Sequence, residues 1–298
     1  MGHFLREKSK NLTQRARIIQ KIRAFFVESE FLEVETPQRI PLNAPEANIT
    51  AIHSSSWQMQ TSPELAMKRL LAAGYSKIFQ ISHCWRDDER GRKHLPEFTI
   101  LEWYRSHCNY RKLMIDCENF LRYLLPQGQI SYQGQIIKLN QPFEQLSVAE
   151  AFSRYTNSSA LQALKEDRFD ELIAFTIEPR LGIDRPTILY DYPVEVASLA
   201  QSKPGHPELA ERFELYIAGI ELANAFSELT DPYEQRIRFC KEQNNTNTGP
   251  IQLPEPFLTD LKNLPSAAGI ALGIDRLIML LTDSSSIDQV VAFTPEDL

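Results

Sequence analysis

Apolar residues recur at helical spacing close to the start of the chain. Ile18, Ile19, Ile22, Phe25 and Phe26 fall on one stripe, which predicts an amphipathic helix over about 11–29. The stretch that follows, FLEVETP at 31–37, reads as a strand closed by Pro37. A second helix is marked at both ends. Ser62 suits an N-cap, Pro63 the first helical position and Gly74 the stop, with Leu65, Met67, Leu70 and Leu71 between them. Strands are predicted at 78–82 and 97–104, on either side of a charged loop at 86–94. A helix follows at about 110–125, a hairpin at 127–140, and a further helix behind the capping-box pair Ser147 and Glu150. Residues 213–218 and 221–229 predict two strands around Gly219, and the polar run 241–250 predicts a mobile loop. The run 269–273 leads into a helix through Asp275 and Arg276. No repeat or long linker divides the chain. The pattern predicts a single α+β domain over 1–298, with helices among strands but no regular βαβ alternation.

Composition narrows the class without naming a chemistry. The 298 residues, 43% of them hydrophobic, suffice to bury a core without metals or disulfides. A formal net charge of -7 is not the footprint of a general nucleic-acid binder, although Arg86, Arg90, Arg92 and Lys93 form a local basic cluster. Cys84, Cys108, Cys117 and Cys240 form no C-x-x-C pair, and the opening residues lack the apolar run of a secretory signal. Together these predict reduced thiols and a cytoplasmic protein. His83 beside Cys84 and His107 beside Cys108 have the wrong spacing for a zinc site. No run approaches the ~20 apolar residues that cross a bilayer, so no membrane partner is expected.

Several familiar signatures are absent: the G-x-x-x-x-G-K-[ST] loop, G-x-G-x-x-G after a strand, the G-x-S-x-G elbow and the H-E-x-x-H helix. Three other segments carry candidate chemistry. In FQISHCWRDDERGRKHLPEFTILEWY, at 79–104, an antiparallel hairpin brings Arg86, Arg90, Arg92, Lys93 and His94 to one end. Guanidinium groups bind phosphate oxygens in pairs, and Phe98 offers a ring for a base to stack on; a solvated charged hairpin tip fits the same residues. In GIALGIDRLIML, at 269–280, glycines admit a ligand to the backbone and Arg276 sits near a helix N-terminus, which favours anions; a plain turn fits as well. Glu214 and Glu221 flank the turn at Gly219. They suit Mg²⁺ on substrate phosphates if they share a pocket, and are exposed strand acids if they do not.

Together these segments resemble the three signature motifs of class II aminoacyl-tRNA synthetases. Residues 31–37 look like motif 1, Trp85-Arg86-Asp87-Asp88 like motif 2 and Gly273-Ile-Asp-Arg276 like motif 3, within a resemblance that spans about 12–293. It implies the class II catalytic fold, an antiparallel sheet of about six strands flanked by helices, and a homodimer built on motif 1. TSPE at 61–64, HLPEFT at 94–99, LEWY at 101–104, PVEV at 193–196, RFE at 212–214 and ELANAFSE at 221–228 are similar to the lysyl enzyme. By that resemblance Glu102, Tyr104 and Glu228 surround the side-chain ammonium of lysine, while Glu64 and Asn224 hold the amino-acid end. Arg86 grips the α-phosphate of ATP and the substrate carboxylate, and Arg276 the γ-phosphate. Phe98 and Arg276 sandwich the adenine, His94 lies near the distal phosphates, and Asp88, Leu95, Glu221 and Gly273 complete the ATP site. Glu214 and Glu221 bind Mg²⁺. A buried ammonium needs opposite charge or its desolvation is prohibitive, so a glutamate-lined pocket selects a cationic substrate.

Motif 1 arrives by Pro37, and only about a dozen residues precede its helix, too few for the OB-fold anticodon domain of lysyl-tRNA synthetases. Strong tRNA binding is therefore not expected. The shorter plan resembles the elongation factor P–lysine ligase family, as do the ELAN and ALGIDR runs. That resemblance implies ATP-dependent activation of lysine, preferably (R)-β-lysine, and transfer to a lysine ε-amine of elongation factor P. Ala271 stands where lysyl-tRNA enzymes tend to have glycine, and its methyl group makes it a candidate selector of the donor. Leu95 replaces a usual Asn, Asp88 a Glu, Ala225 a Gly and Trp85 a Phe; none of these removes a charge the reaction requires. The alternatives are a truncated enzyme that charges tRNA and an inactive regulatory paralogue. Intact Arg86, Arg276, Glu214 and Glu221 argue against the second.

Overall fold

The computed structural model describes residues 3–246 and 252–298. Side chains alternate across a strand, so the long strands of this chain sort their residues into a core face and a cavity face. Nine strands form the main sheet: β1 (Leu32–Glu33), β2 (Lys77–Trp85), β3 (Glu97–Ser106), β4 (Glu144–Ser147), β5 (Thr187–Pro193), β6 (Ser202–Lys203), β7 (His206–Ile217), β8 (Ile220–Ser227) and β9 (Ala267–Gly273). They lie in the order β1-β2-β3-β9-β8-β7-β5-β4, with β6 paired to β7. The pairings at the two ends, β1 with β2 and β4 with β5, are parallel, and the others are antiparallel. The sheet exceeds the expected six strands because the short strands β1, β4 and β6 extend it. The helices around the sheet include α1 (His3–Glu28), α2 (Glu64–Ala72), α3 (Tyr110–Leu124), α4 (Val148–Tyr155), α5 (Pro232–Thr246), α6 (Glu255–Leu261) and α7 (Ile274–Leu281).

One face of the sheet packs on α1 and α3. Phe79 and Trp103 meet Phe26 and Phe120 there, with Phe26 stacked on Phe79 at 4.8 Å between centroids. All four are fully buried, and each such side chain contributes about 1.5–3 kcal/mol. The opposite face of the same strands lines the cavity described below. Register assembles it: Asn224 pairs with Ala271, Ala271 with Glu102 and Glu102 with Gln80, so one row crosses four strands. The next row runs from Phe226 through Gly269 and Tyr104 to Ile78. Cross-strand partners share a face, so residues more than a hundred positions apart stand side by side.

Several sequence expectations change. The first helix begins at His3, not near 11, because tertiary bonds hold its polar start; Asn11, for example, donates to Ser284 Oγ and Gln289 O. Of 31–37 only Leu32–Glu33 is strand, paired along the edge with Ile78 and Phe79. The expected mobile loop at 241–250 is helical as far as Thr246, where Glu242 accepts from Ala47 N; residues 247–250 lie outside the described residues. The hairpin forms between Gln129–Tyr132 and Gln135–Lys138, the Ser147–Glu150 capping box is present, and Gly74 ends α2 with φ +102°. No described helix is long and apolar enough to cross a membrane.

Candidate active site

A cavity of about 220 Å³ opens on the sheet face opposite α1 and α3. At its floor Glu102 is fully buried. One of its oxygens accepts from Ser62 Oγ at 2.5 Å and the other from the Tyr104 hydroxyl at 2.6 Å. Burial, with Glu64 close by, pushes Glu102 up to about 7 against the pull of those two hydrogen bonds. Glu228, one residue beyond β8, is also fully buried, and burial pushes it up to about 8 although the Lys68 ammonium opposes the shift. Gly269 makes the arrangement possible. A Cβ there would lie 2.2 Å from the Tyr104 ring and 2.4 Å from Glu228 Oε1.

The other end of the cavity is cationic. The Arg86 guanidinium sits 5.1 Å over the Phe98 ring and 3.5 Å from Glu89. Arg276, in the first turn of α7, donates to Glu221 O at 2.9 Å and Glu221 Oε2 at 3.2 Å, and its Nη2 lies 2.6 Å from His94 Nε2. Burial and Arg276 depress the His94 pKa, which keeps the ring neutral and able to accept that contact. Asp275 accepts from Thr99 N at 2.7 Å and from Arg15 at 2.5 Å, which ties α7 to β3 and α1. Glu178 is pushed up to about 7 by burial and by Glu221 and Glu214 nearby, three carboxyls that form an acidic corner beside the arginines.

Of the residues singled out in the sequence, Glu64, Arg86, His94, Leu95, Phe98, Glu102, Tyr104, Glu221, Asn224, Ala271, Gly273 and Arg276 line this one cavity. Glu221 and Asn224 are three apart, a spacing that opposes faces in a regular strand. Pairing with Tyr216 and Glu214 across a register shift brings both to the cavity. Three residues to which the resemblance gave a role do not line it. Asp88 adopts φ 62° and is exposed, and its neighbour Glu89 lines the cavity in its place; aspartate tolerates that left-handed turn. Glu214 is held by Arg212 through one oxygen and by the Tyr192 and Tyr216 hydroxyls through the other, since Arg212 and Tyr216 share its strand face. Glu228 lies directly behind Gly269. In the basic loop, Arg90 is paired with Asp288 and Glu296 and Arg92 donates to Ser285 O, so both are turned to the C-terminal segment. Phe98 carries Arg86 over its ring.

Sequence reasoning missed Ser62 as a Glu102 donor, Lys68, Glu46 and the Arg212 contact to Asn224 Oδ1 at 3.1 Å. Lys68 carried a signal, since it stands one helical turn after Glu64. Glu46 lines the mouth from an irregular segment, and burial, with Glu64 close by, pushes it up to about 7.

An antiparallel sheet whose face joins arginines from a strand–loop–strand and from a helix start to a second set of side chains is a class II synthetase site. A profile described as tRNA synthetases class II (D, K and N) matches residues 4–297, and the chain belongs to that family. Within it the chain is 39% identical over 316 residues to the elongation factor P–(R)-β-lysine ligase of Hamiltonella defensa, covering 96% of this chain and 95% of that protein. It is 40% identical over 319 residues to the ligase of the same name from Haemophilus influenzae strain PittGG, covering 97% and 96%. The ligase of that name from Pectobacterium carotovorum is 40% identical over 312 residues, covering 96% and 95%. The chain is an ATP-dependent ligase of the class II synthetase family.

Proposed function

We propose that this enzyme joins lysine, or (R)-β-lysine, to AMP at the expense of ATP and passes the aminoacyl group to a lysine ε-amine of elongation factor P. The observation that carries the reading is the shared cavity, with Arg86 and Arg276 at one end and Glu64, Glu102 and Tyr104 at the other. Phosphates match the first set and an ammonium the second. The names of the relatives supply the acceptor.

The substrate carboxylate attacks the α-phosphorus of ATP in line, and pyrophosphate leaves with the bonding electrons. Arg86 and Arg276 hold the phosphates and offset the charge that develops on them. The acceptor amine, having lost its proton, then attacks the aminoacyl carbonyl; the amide forms and AMP departs. No covalent enzyme intermediate is required. Mg²⁺ fits the acidic corner in part. Glu221 lines the cavity and meets Arg276 through one oxygen, whereas Glu214 is already engaged by Arg212 and two tyrosines. Glu221 would hold the ion, which neutralises phosphate charge when bound.

The acceptor is tested by offering elongation factor P and tRNA side by side with radiolabelled lysine or β-lysine. Label should appear on the protein. Transfer to tRNA alone would overturn the acceptor assignment and leave the activation step standing.

A further inference from the structure

Behind the cavity floor lies a cation of the chain's own. Lys68, on α2 one turn past Glu64, is only 1% exposed. Its ammonium pairs with Glu64 Oε1 and, at 2.5 Å, with Glu228 Oε2, and it lies 5.1 Å over the Phe226 ring. Burial disfavours its charge, but the two carboxylates outweigh burial and push it up to about 12, so it stays charged. Neither oxygen of Glu228 has a well-aligned hydrogen bond among the described residues, and Oε1 lacks even the ion-pair contact that Oε2 makes with Lys68, although the residue is 0% exposed. Oε1 lies against Gly269, which lines the cavity beside Tyr104. A buried, unpartnered carboxylate oxygen awaits a donor.

We infer that Lys68 is a positioning residue that fixes both the charge and the aim of the amine pocket, holding one oxygen of Glu64 and one of Glu228 and leaving the second oxygen of each to the two ammonium groups of a diamino acid. With Glu64, Glu102 and Glu228 ionised, Lys68 leaves the floor two charges negative, which equals the number of ammonium groups on such a substrate. The inference rests on the lysine-activation reading and deepens it. Lys68 and Glu64 face Glu228 from α2, and Glu102 and Tyr104 face it from β3. Among these only Lys68 favours the ionised carboxylate, so removing it drives the Glu228 pKa further above the value of about 8 that it has with Lys68 in place.

The test is lysine-dependent ATP–pyrophosphate exchange by wild type, Lys68→Met and Lys68→Arg from about pH 6.5 to about pH 9. For Lys68→Met at neutral pH, the KM for lysine should rise by at least about tenfold while the KM for ATP stays within about twofold. The acid limb of its lysine profile should move up by about one pH unit or more, so that alkaline pH restores binding. Lys68→Arg keeps the charge and should keep the wild-type limb. An unmoved limb in Lys68→Met, or equal rises in both KM values, would overturn the inference. Should Lys68→Met fail to fold, the double variant Lys68→Met, Glu228→Gln removes the buried pair together, and loss of both partners is tolerated far better than loss of one. It should bind lysine at least about fivefold more tightly than Glu228→Gln alone, because it restores two net negative charges. No recovery in the double variant would overturn the inference. Wild type without lysine-dependent exchange would instead remove the activation reading, and the inference with it.

Discussion

A methyl group has no room at position 269. The built Cβ overlaps the Tyr104 ring and Glu228 Oε1, so Gly269→Ala must push the phenol or the carboxylate off the cavity floor. Overpacking of this kind costs about 1–3 kcal/mol, and misplacing the substrate costs rate as well. Exchange kinetics should show lysine-dependent kcat/KM reduced at least about a hundredfold, with the KM for ATP changed less than about threefold. Unaltered lysine kinetics would mean that Tyr104 and Glu228 do not shape the pocket. Burial holds Glu102 near 7 and Glu228 near 8, above the unfolded value of 4.5. Between those values the folded chain binds protons that the unfolded chain has lost, so stability falls as pH rises from about 5 to about 8. Melting temperatures of the substrate-free enzyme should fall across that window, and the extra stabilisation from saturating lysine should grow over it. A melting temperature that rises there, with no growing lysine effect, would contradict the placement of these carboxyls. At this scale the sequence was legible for residues inside motifs, such as Glu102, Tyr104 and Arg276. It was only half legible for Lys68, whose spacing from Glu64 shows in the sequence but whose partner Glu228 is 160 positions away.

Elements hold these residues in place through a few buried joints. Asp275 stands in the first turn of α7, 2% exposed, and binds Thr99 N of β3 and Arg15 of α1. It thereby sets where Arg276 starts. Removing one partner of a buried charged pair costs about 3–5 kcal/mol, so Asp275→Ala should lose stability on that order in denaturant unfolding. The kcat/KM values for ATP and lysine should fall together, since the helix and not one subsite has moved. Selective loss of lysine use would contradict this joint. Helix ends were legible because caps are local: Ser147 with Glu150, and Gly74, sit where side-chain chemistry requires them. The extension of α1 to His3 and the shrinkage of 31–37 to two strand residues were not, because both depend on contacts with distant chain.

In the whole molecule, the cavity exists because four strands lie in one register, which places Asn224, Ala271 and Glu102 in a row. The motifs disclosed the family and the members of that row, but a pairing as distant in sequence as Glu102 with Ala271 leaves no local trace. Glu214 shows the same limit. Its spacing from Glu221 suggested a metal pair, yet Tyr192 from β5 and Tyr216 on its own strand claim one of its oxygens. The cavity therefore sets arginines and a glutamate floor at opposite ends, and one substrate must satisfy both.

The most direct measurement is ATP–pyrophosphate exchange by the wild-type enzyme with lysine or (R)-β-lysine, against norleucine, which has the same chain without the terminal ammonium. The account predicts exchange that requires the diamino acid and is reduced at least about a hundredfold with norleucine, because the glutamate floor then lacks its counter-charge. Equal exchange with norleucine, or none with either diamino acid, would contradict it.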